Sequence, residues 1–196
     1  MSEPSPLRQS FLDGHRLLGQ FLEDRANTER LEHLAQILSV CYNQGGKVII
    51  FGNGGSACDA AHFAEEMTGR YRKDRRALPA IAVTDAGHIT CVANDYGYDS
   101  VFSRSVEAFA QSGDVVIGIS TSGNSPNVLK GLQAARERQC VTVGLTGKDG
   151  GKLLGSCDFE WLCPGATADR IQEIHMMLLH ILIEGVERIL FPENYR

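Results

Sequence analysis

The sequence predicts an α/β fold: a three-layer sandwich in which a five-stranded parallel sheet is flanked by helices, preceded by an N-terminal helical pair. Three observations carry that reading. Short runs rich in Val and Ile (KVIIFG, PAIAVT, DVVIGIS, VTVGLT and DFEWLC) alternate with helical stretches. The runs are apolar on both faces, as parallel strands covered by helices on each side must be. Gly, Pro, Asp or Ser bounds each run, and these residues punctuate a chain between elements.

Taken in order, apolar residues at Leu7, Phe11, Leu18, Phe21 and Leu22, then at Leu31, Leu34, Leu38 and Cys41, recur at helical spacing. The first 43 residues therefore read as two amphipathic helices, which Gln44, Gly45 and Gly46 bring to an end. From Lys47 onward strands alternate with helices expected near residues 56–70, 99–111, 126–138 and 167–190. The last helix begins after Pro164 and Gly165, with Thr167 and Asp169 as polar residues near its start. A chain of 196 residues, 43% hydrophobic, without repeat, low-complexity segment or long linker, suits one domain over residues 1–196. Its α/β core is expected over residues 44–196.

The formal charge of -5 argues against a nucleic-acid-binding surface, since Lys and Arg are scattered apart from Arg70, Arg72, Lys73, Arg75 and Arg76. Six cysteines without a CxxC pair read as reduced thiols, which points to the cytoplasm. MSEPSPLRQSFLDG has no basic segment followed by an apolar one, and nowhere do 18 apolar residues run together. Neither export nor a membrane anchor is expected.

In a doubly wound sheet, ligands bind beyond the carboxyl ends of the strands. GNGGS follows the first strand, DAGHITCVANDYG the second, STSGNS the third and TGKDGGK the fourth. STSGNS is the better phosphate site: Ser120, Thr121, Ser122 and Ser125 offer four hydroxyls beside backbone amides at a helix start. The alternative is that Ser and Thr merely cap that helix. Neither GxxxxGK[ST] nor a convincing GxGxxG is present, so ATP and NAD are not expected and the phosphate belongs to a small metabolite.

His62 and Glu66, four residues apart, share one helical face and can chelate one metal, although the same spacing also describes an ordinary exposed pair. Glu65 points about 100° away and reads as solvated. In the last helix Asp169, Gln172, Met176 and His180 form a stripe, Asp169 and His180 differing by about 20° around the axis. A polar stripe in an apolar helix costs on the order of 1–3 kcal/mol per unpaired buried group, so it marks a site or a polar seam between subunits. His175 lies off the stripe and reads as a hydrogen-bonded packing histidine. Asn94 and Asp95 suit hydroxyl binding or ordinary turn chemistry, and Lys148 with Asp149 reads as a structural turn.

Together GNGGSACDAAHFAEEMTGRYR, ANDYG, STSGNSPNV, LTGKDGGK and ADRIQEIHMMLLHILI resemble the bacterial sedoheptulose 7-phosphate isomerases, also called phosphoheptose isomerases, of the sugar isomerase (SIS) domain superfamily. The likeness is continuous from about residue 45 to 190; the N-terminal helices are similar in pattern only. Ala57 stands where some members carry His, outside the set of site residues.

The resemblance implies a single SIS domain forming a homotetramer with active sites at subunit interfaces, residues 1–43 serving in packing and oligomerisation. It implies Zn2+ bound by His62, Glu66, Gln172 and His180, and phosphate held by Ser120, Thr121, Ser122 and Ser125. Sugar contacts would come from Asn53, Gly54, Gly55, Asn94 and Asp95, with Glu66, Asp169 and Gln172 also facing substrate. The implied reaction, first in the synthesis of ADP-heptose for lipopolysaccharide, is an aldose–ketose isomerisation through an enediol. Glu66 and His180 are its catalytic pair. A different class of relative, non-enzymatic regulators that bind the replication initiator, is the alternative; such relatives can lose the catalytic imidazole, which here is present at His180. SIS enzymes for amino sugars usually carry two tandem domains, whereas this chain holds one.

Overall fold

A computed structural model describes residues 5–196, so residues 1–4 of the expected N-terminal segment lie outside the described residues. The elements are α1 (Pro6–Glu23), α2 (Ala26–Asn43), β1 (Val48–Gly52), α3 (Gly55–Thr68), β2 (Ala80–Ala82), α4 (Ala86–Tyr96), α5 (Val101–Phe109), β3 (Val115–Ser120), α6 (Pro126–Glu137), β4 (Val141–Gly147), β5 (Phe159–Cys163) and α7 (Ala168–Leu190). The five strands form one sheet in the order β2-β1-β3-β4-β5, every pair parallel. No helix among the described residues is long and apolar enough to cross a membrane.

Alternate residues of each central strand feed two cores. Val48, Ile50, Ile117 and Ile119 face α2, α3 and α7, where Leu34, Leu38, Phe63, Met67 and Leu182 are buried. Ile49, Phe51 and Val116 face α5 and α6, against Phe102, Val106, Val128 and Leu132. All residues of β1 and β3 are buried, which is why these strands read as unbroken apolar runs.

Two elements depart from the sequence reading. The stretch after β2, where no helix was expected, is the helix α4. The Asp85 carboxylate accepts from the His88 backbone N–H at 2.7 Å and starts it. Only Val92 of this helix is buried, so its apolar stripe is too thin to stand out. β2 itself keeps only Ala80–Ala82, a half-buried edge strand.

The chain leaves β1 toward β2 on one side and returns to β3 on the other. The order reverses between β1 and β3, where Gly52 stands beside Ile119. Loops beyond such a switch point form the ligand crevice of a doubly wound sheet, and here they are GNGGS and STSGNS.

Candidate active site

On one face of the sheet α3 and α7 run in the same direction: Ser56 meets Gln172, and further along Glu66 meets His180. His62 and Glu66 come from one turn of α3. His62 Nε2 is 3.5 Å from Glu66 Oε1, His180 Nε2 is 3.4 Å from Glu66 Oε2, and the two imidazoles meet edge-on with centroids 5.0 Å apart. One ligand atom from each of the three residues lies within 4.8 Å of the others. Glu66 is the sheltered member, its side chain 14% exposed against 45% for His62 and 33% for His180. Glu65 is exposed and reaches only His62, at 3.8 Å.

Glu66 Oε2 is buried yet makes no hydrogen bond; it approaches His180 without hydrogen-bond alignment. A buried acceptor left open costs about 1–3 kcal/mol unless something else fills it. Two imidazole nitrogens around a carboxylate are a donor set suited to zinc, and the open oxygen of Glu66 fits a metal ligand. Tyr71 stacks on the His180 ring at 5.9 Å and closes one side.

Gln172 stands eight residues before His180, about 12 Å along the helix axis. Its amide donates to Ser56 Oγ at 3.3 Å and lies on Gly55, where a Cβ would come within 2.7 Å of Nε2. Glycine at this position lets α7 press against the start of α3. Asp169, on the first turn of α7, is exposed and pairs with Arg170 at 3.2 Å. A hydrogen bond from Thr167 holds its carboxyl below the usual range. His175 is fully buried with Nε2 against the Thr146 carbonyl at 3.0 Å, as a packing histidine should be.

At the end of β3, Ser120 Oγ lies 3.0 Å from Ser125 Oγ and 3.5 Å from Ser122 Oγ. Ser125 occupies the N-cap position of α6 but its side chain makes no capping bond. The hydroxyls thus gather on one another rather than on the helix end, leaving a serine cluster at a helix N-terminus, the arrangement that attracts an anion. Thr121 is half-buried beside them. The end of TGKDGGK and the residue after it brace this loop: Leu153 N–H donates to the Gly123 carbonyl at 3.0 Å and Lys152 N–H to Asn124 Oδ1 at 3.2 Å. Gly123 has φ +63°, and a Cβ there would run into the Gly150 carbonyl.

The GNGGS loop is tied to the first turn of α6 by a side-chain pair not anticipated from sequence. Asn53 and Asn127 exchange amide hydrogen bonds, both at 2.9 Å, and Tyr98 Oη donates to Asn53 Oδ1 at 2.9 Å. That leaves Asn53 one free N–H. Gly54, with φ +56° and open space around it, exposes the turn's backbone. Asn94 and Asp95 lie on the last turn of α4, exposed, with Asn94 Nδ2 donating to Asp95 Oδ1 at 2.7 Å. Their side-chain hydrogen bonds stay within α4, to Cys91 and to each other, and do not reach the serine loop or the His62–Glu66–His180 cluster. Asp59, one turn before His62, has a buried oxygen without a partner, and burial pushes its carboxyl up to about 6 against the pull of His62.

Residues 11–147 match the family described as the SIS domain. A curated phosphoheptose isomerase of Fusobacterium nucleatum is 60% identical over 189 residues, covering 96% of this chain and 97% of the relative. The chain belongs to the phosphoheptose isomerase family. Family members of the same name from an Enterobacter species and from Proteus mirabilis are each 52% identical over 183 residues, covering 93% of this chain and 95% of the relative. The solved phosphoheptose isomerase of Neisseria gonorrhoeae superposes with a TM-score of 0.83 at 37% identity, covering 92% of this chain and 96% of that one. A phosphoheptose isomerase from Francisella tularensis gives 0.87 at 30% identity, covering 96% and 100%.

Proposed function

We propose that the chain is an aldose–ketose isomerase that converts sedoheptulose 7-phosphate into D-glycero-D-manno-heptose 7-phosphate, the entry to ADP-heptose synthesis for lipopolysaccharide. The observation that carries this reading is the sheltered Glu66 carboxylate set between two imidazoles on one face of α3 and α7. Isomerisation moves a carbonyl from C2 to C1, which requires a base for a carbon-bound proton and a group that shuttles protons between oxygens. Glu66 takes the C1 proton and returns it to C2. His180 serves the oxygens and opens the sugar ring.

His62, Glu66 and His180 are assigned as the residues that hold Zn2+, with Gln172 joining them by turning its amide away from Ser56; the metal when bound supplies polarisation of the carbonyl and stabilisation of developing negative charge. A carboxylate held by a metal is a weaker base, so the proton-transfer role belongs to Glu66 when it is free of the metal. Ser120, Thr121, Ser122 and Ser125 take the 7-phosphate. Asn53, Gly54, Gly55, Asn94, Asp95 and Asp169 line the sugar.

The assembly is assigned as a homotetramer with active sites at its interfaces, the first 43 residues contributing to packing. Leu7 and Phe11 are 79% and 82% exposed on α1, and Met177 and Ile181 are exposed on α7 next to His180. Such a contiguous apolar face supports a protein interface beside the site. Six free cysteines support a cytoplasmic protein. The enzyme's name, carried by the relatives, favours catalyst over regulator.

Purified protein incubated with sedoheptulose 7-phosphate should form the aldose, lose that activity after chelator treatment and regain it with added zinc. Absence of turnover both with and without zinc overturns the isomerase reading.

A further inference from the structure

The most deeply buried ion pair among the described residues joins Arg75, in the loop after α3, to Glu187 on α7, with side chains 1% and 0% exposed. Arg75 Nε donates to Glu187 Oε1 at 2.8 Å. Its two terminal nitrogens turn to the end of α3: Nη2 donates to the Glu66 carbonyl at 2.7 Å and Nη1 to the Met67 carbonyl at 2.8 Å. The last carbonyls of a helix have no partner within it. Leu78 N–H also reaches the Met67 carbonyl at 2.9 Å and Gly69 N–H the Glu65 carbonyl at 2.7 Å, so what Arg75 adds to this final turn is the bond to Glu66's own carbonyl. Glu187 follows His180 by seven residues, within about 20° on the same face of α7. Tyr195 Oη donates to the second Glu187 oxygen at 2.8 Å, so both carboxylate oxygens are occupied.

We propose that Arg75, anchored by Glu187, is the positioning residue of the His62–Glu66–His180 centre: one guanidinium fastens the turn bearing Glu66 to the face of α7 bearing His180. This rests on the metal-centre reading above. Arginine is required because its planar fork serves a carboxylate and two carbonyls at once, whereas a lysine ammonium is a single point charge. Groups that orient metal ligands commonly carry about 10- to 100-fold in metal affinity.

The test is a cobalt(II) titration of metal-stripped protein followed by visible absorption, with steady-state kinetics on the zinc-loaded protein. The variants are Arg75→Lys, Glu187→Gln and the double Arg75→Met/Glu187→Leu, with folding checked by circular dichroism. The double variant removes both charges together and so avoids a lone buried ion should the single variants not fold. Folded variants should bind cobalt at least about tenfold more weakly, with kcat lowered and KM for the sugar phosphate little changed. Arg75→Lys should recover thermal stability without recovering cobalt affinity. A merely structural pair would lower Tm and leave cobalt affinity and kcat at wild-type values, and that result overturns the proposal. Failure of the wild-type protein to bind cobalt removes the metal-centre reading itself, and the wild-type titration alone reports it.

Discussion

Glu66 Oε2 lies 3.4 Å from His180 Nε2, bringing together residues from two helices between which the chain runs through four of the five strands. The oxygen is buried and free of hydrogen bonds, while its twin faces His62. One carboxylate thus addresses both imidazoles, and its removal should separate binding from chemistry.

Glu66→Gln keeps the size and polarity of the side chain and removes its basicity. General-base catalysis contributes about 10²- to 10⁴-fold, so kcat should fall by that order while the sugar phosphate still binds. Steady-state kinetics with a direct binding measurement checks this. A kcat near wild type removes Glu66 from the role of base.

Ser120 and Ser125 hydroxyls stand 3.0 Å apart and neither they nor their neighbours in the cluster cap α6 through Ser125, which suits the phosphate role proposed for them. Hydrogen bonds to charged groups are each worth about 1.5–3 kcal/mol. Ser120→Ala and Ser125→Ala should each raise KM by roughly ten- to a hundredfold, a figure that follows from that range, with smaller effects on kcat. Unchanged KM in both would place the phosphate elsewhere.

His175 supplies a pH prediction. Burial lowers its pKa from 6.5 to about 4. Between those values the unfolded chain binds the extra proton, so the stabilisation is complete above pH 6.5 and is lost as pH falls toward 4. The gap corresponds to about 3 kcal/mol. Asp59, raised to about 6 mainly by burial, acts in the opposite direction over part of that window. Urea unfolding at fixed protein concentration, at pH 7.5 and 5 in an Asp59→Asn background, should show a smaller loss on acidification for His175→Gln than for His175. Equal losses would mean that His175 is not held neutral.

The central strands were legible because β1 and β3 are buried on both faces, leaving no alternation to confuse with an exposed sheet. α4 was not, because a helix with one buried residue carries almost no periodic signal, and its Asp85 cap sits among residues that also make turns. Within the site, the i, i+4 relation of His62 and Glu66 is local and could be read directly. The meeting of Asn53 with Asn127, 74 residues apart, depends on how the sheet reverses its order and has no local trace. The same holds for Arg75, which in sequence is one more member of a basic cluster.

The brace on STSGNS bears on how a substrate is received. Gly123 and Asn124 are already hydrogen-bonded to Leu153 and Lys152, and the serine hydroxyls already stand together. Under the proposed assignment a phosphate arriving here would meet a socket whose shape exists before the ligand does, and its binding would carry little ordering cost. Inorganic phosphate alone should then compete with the full sugar phosphate.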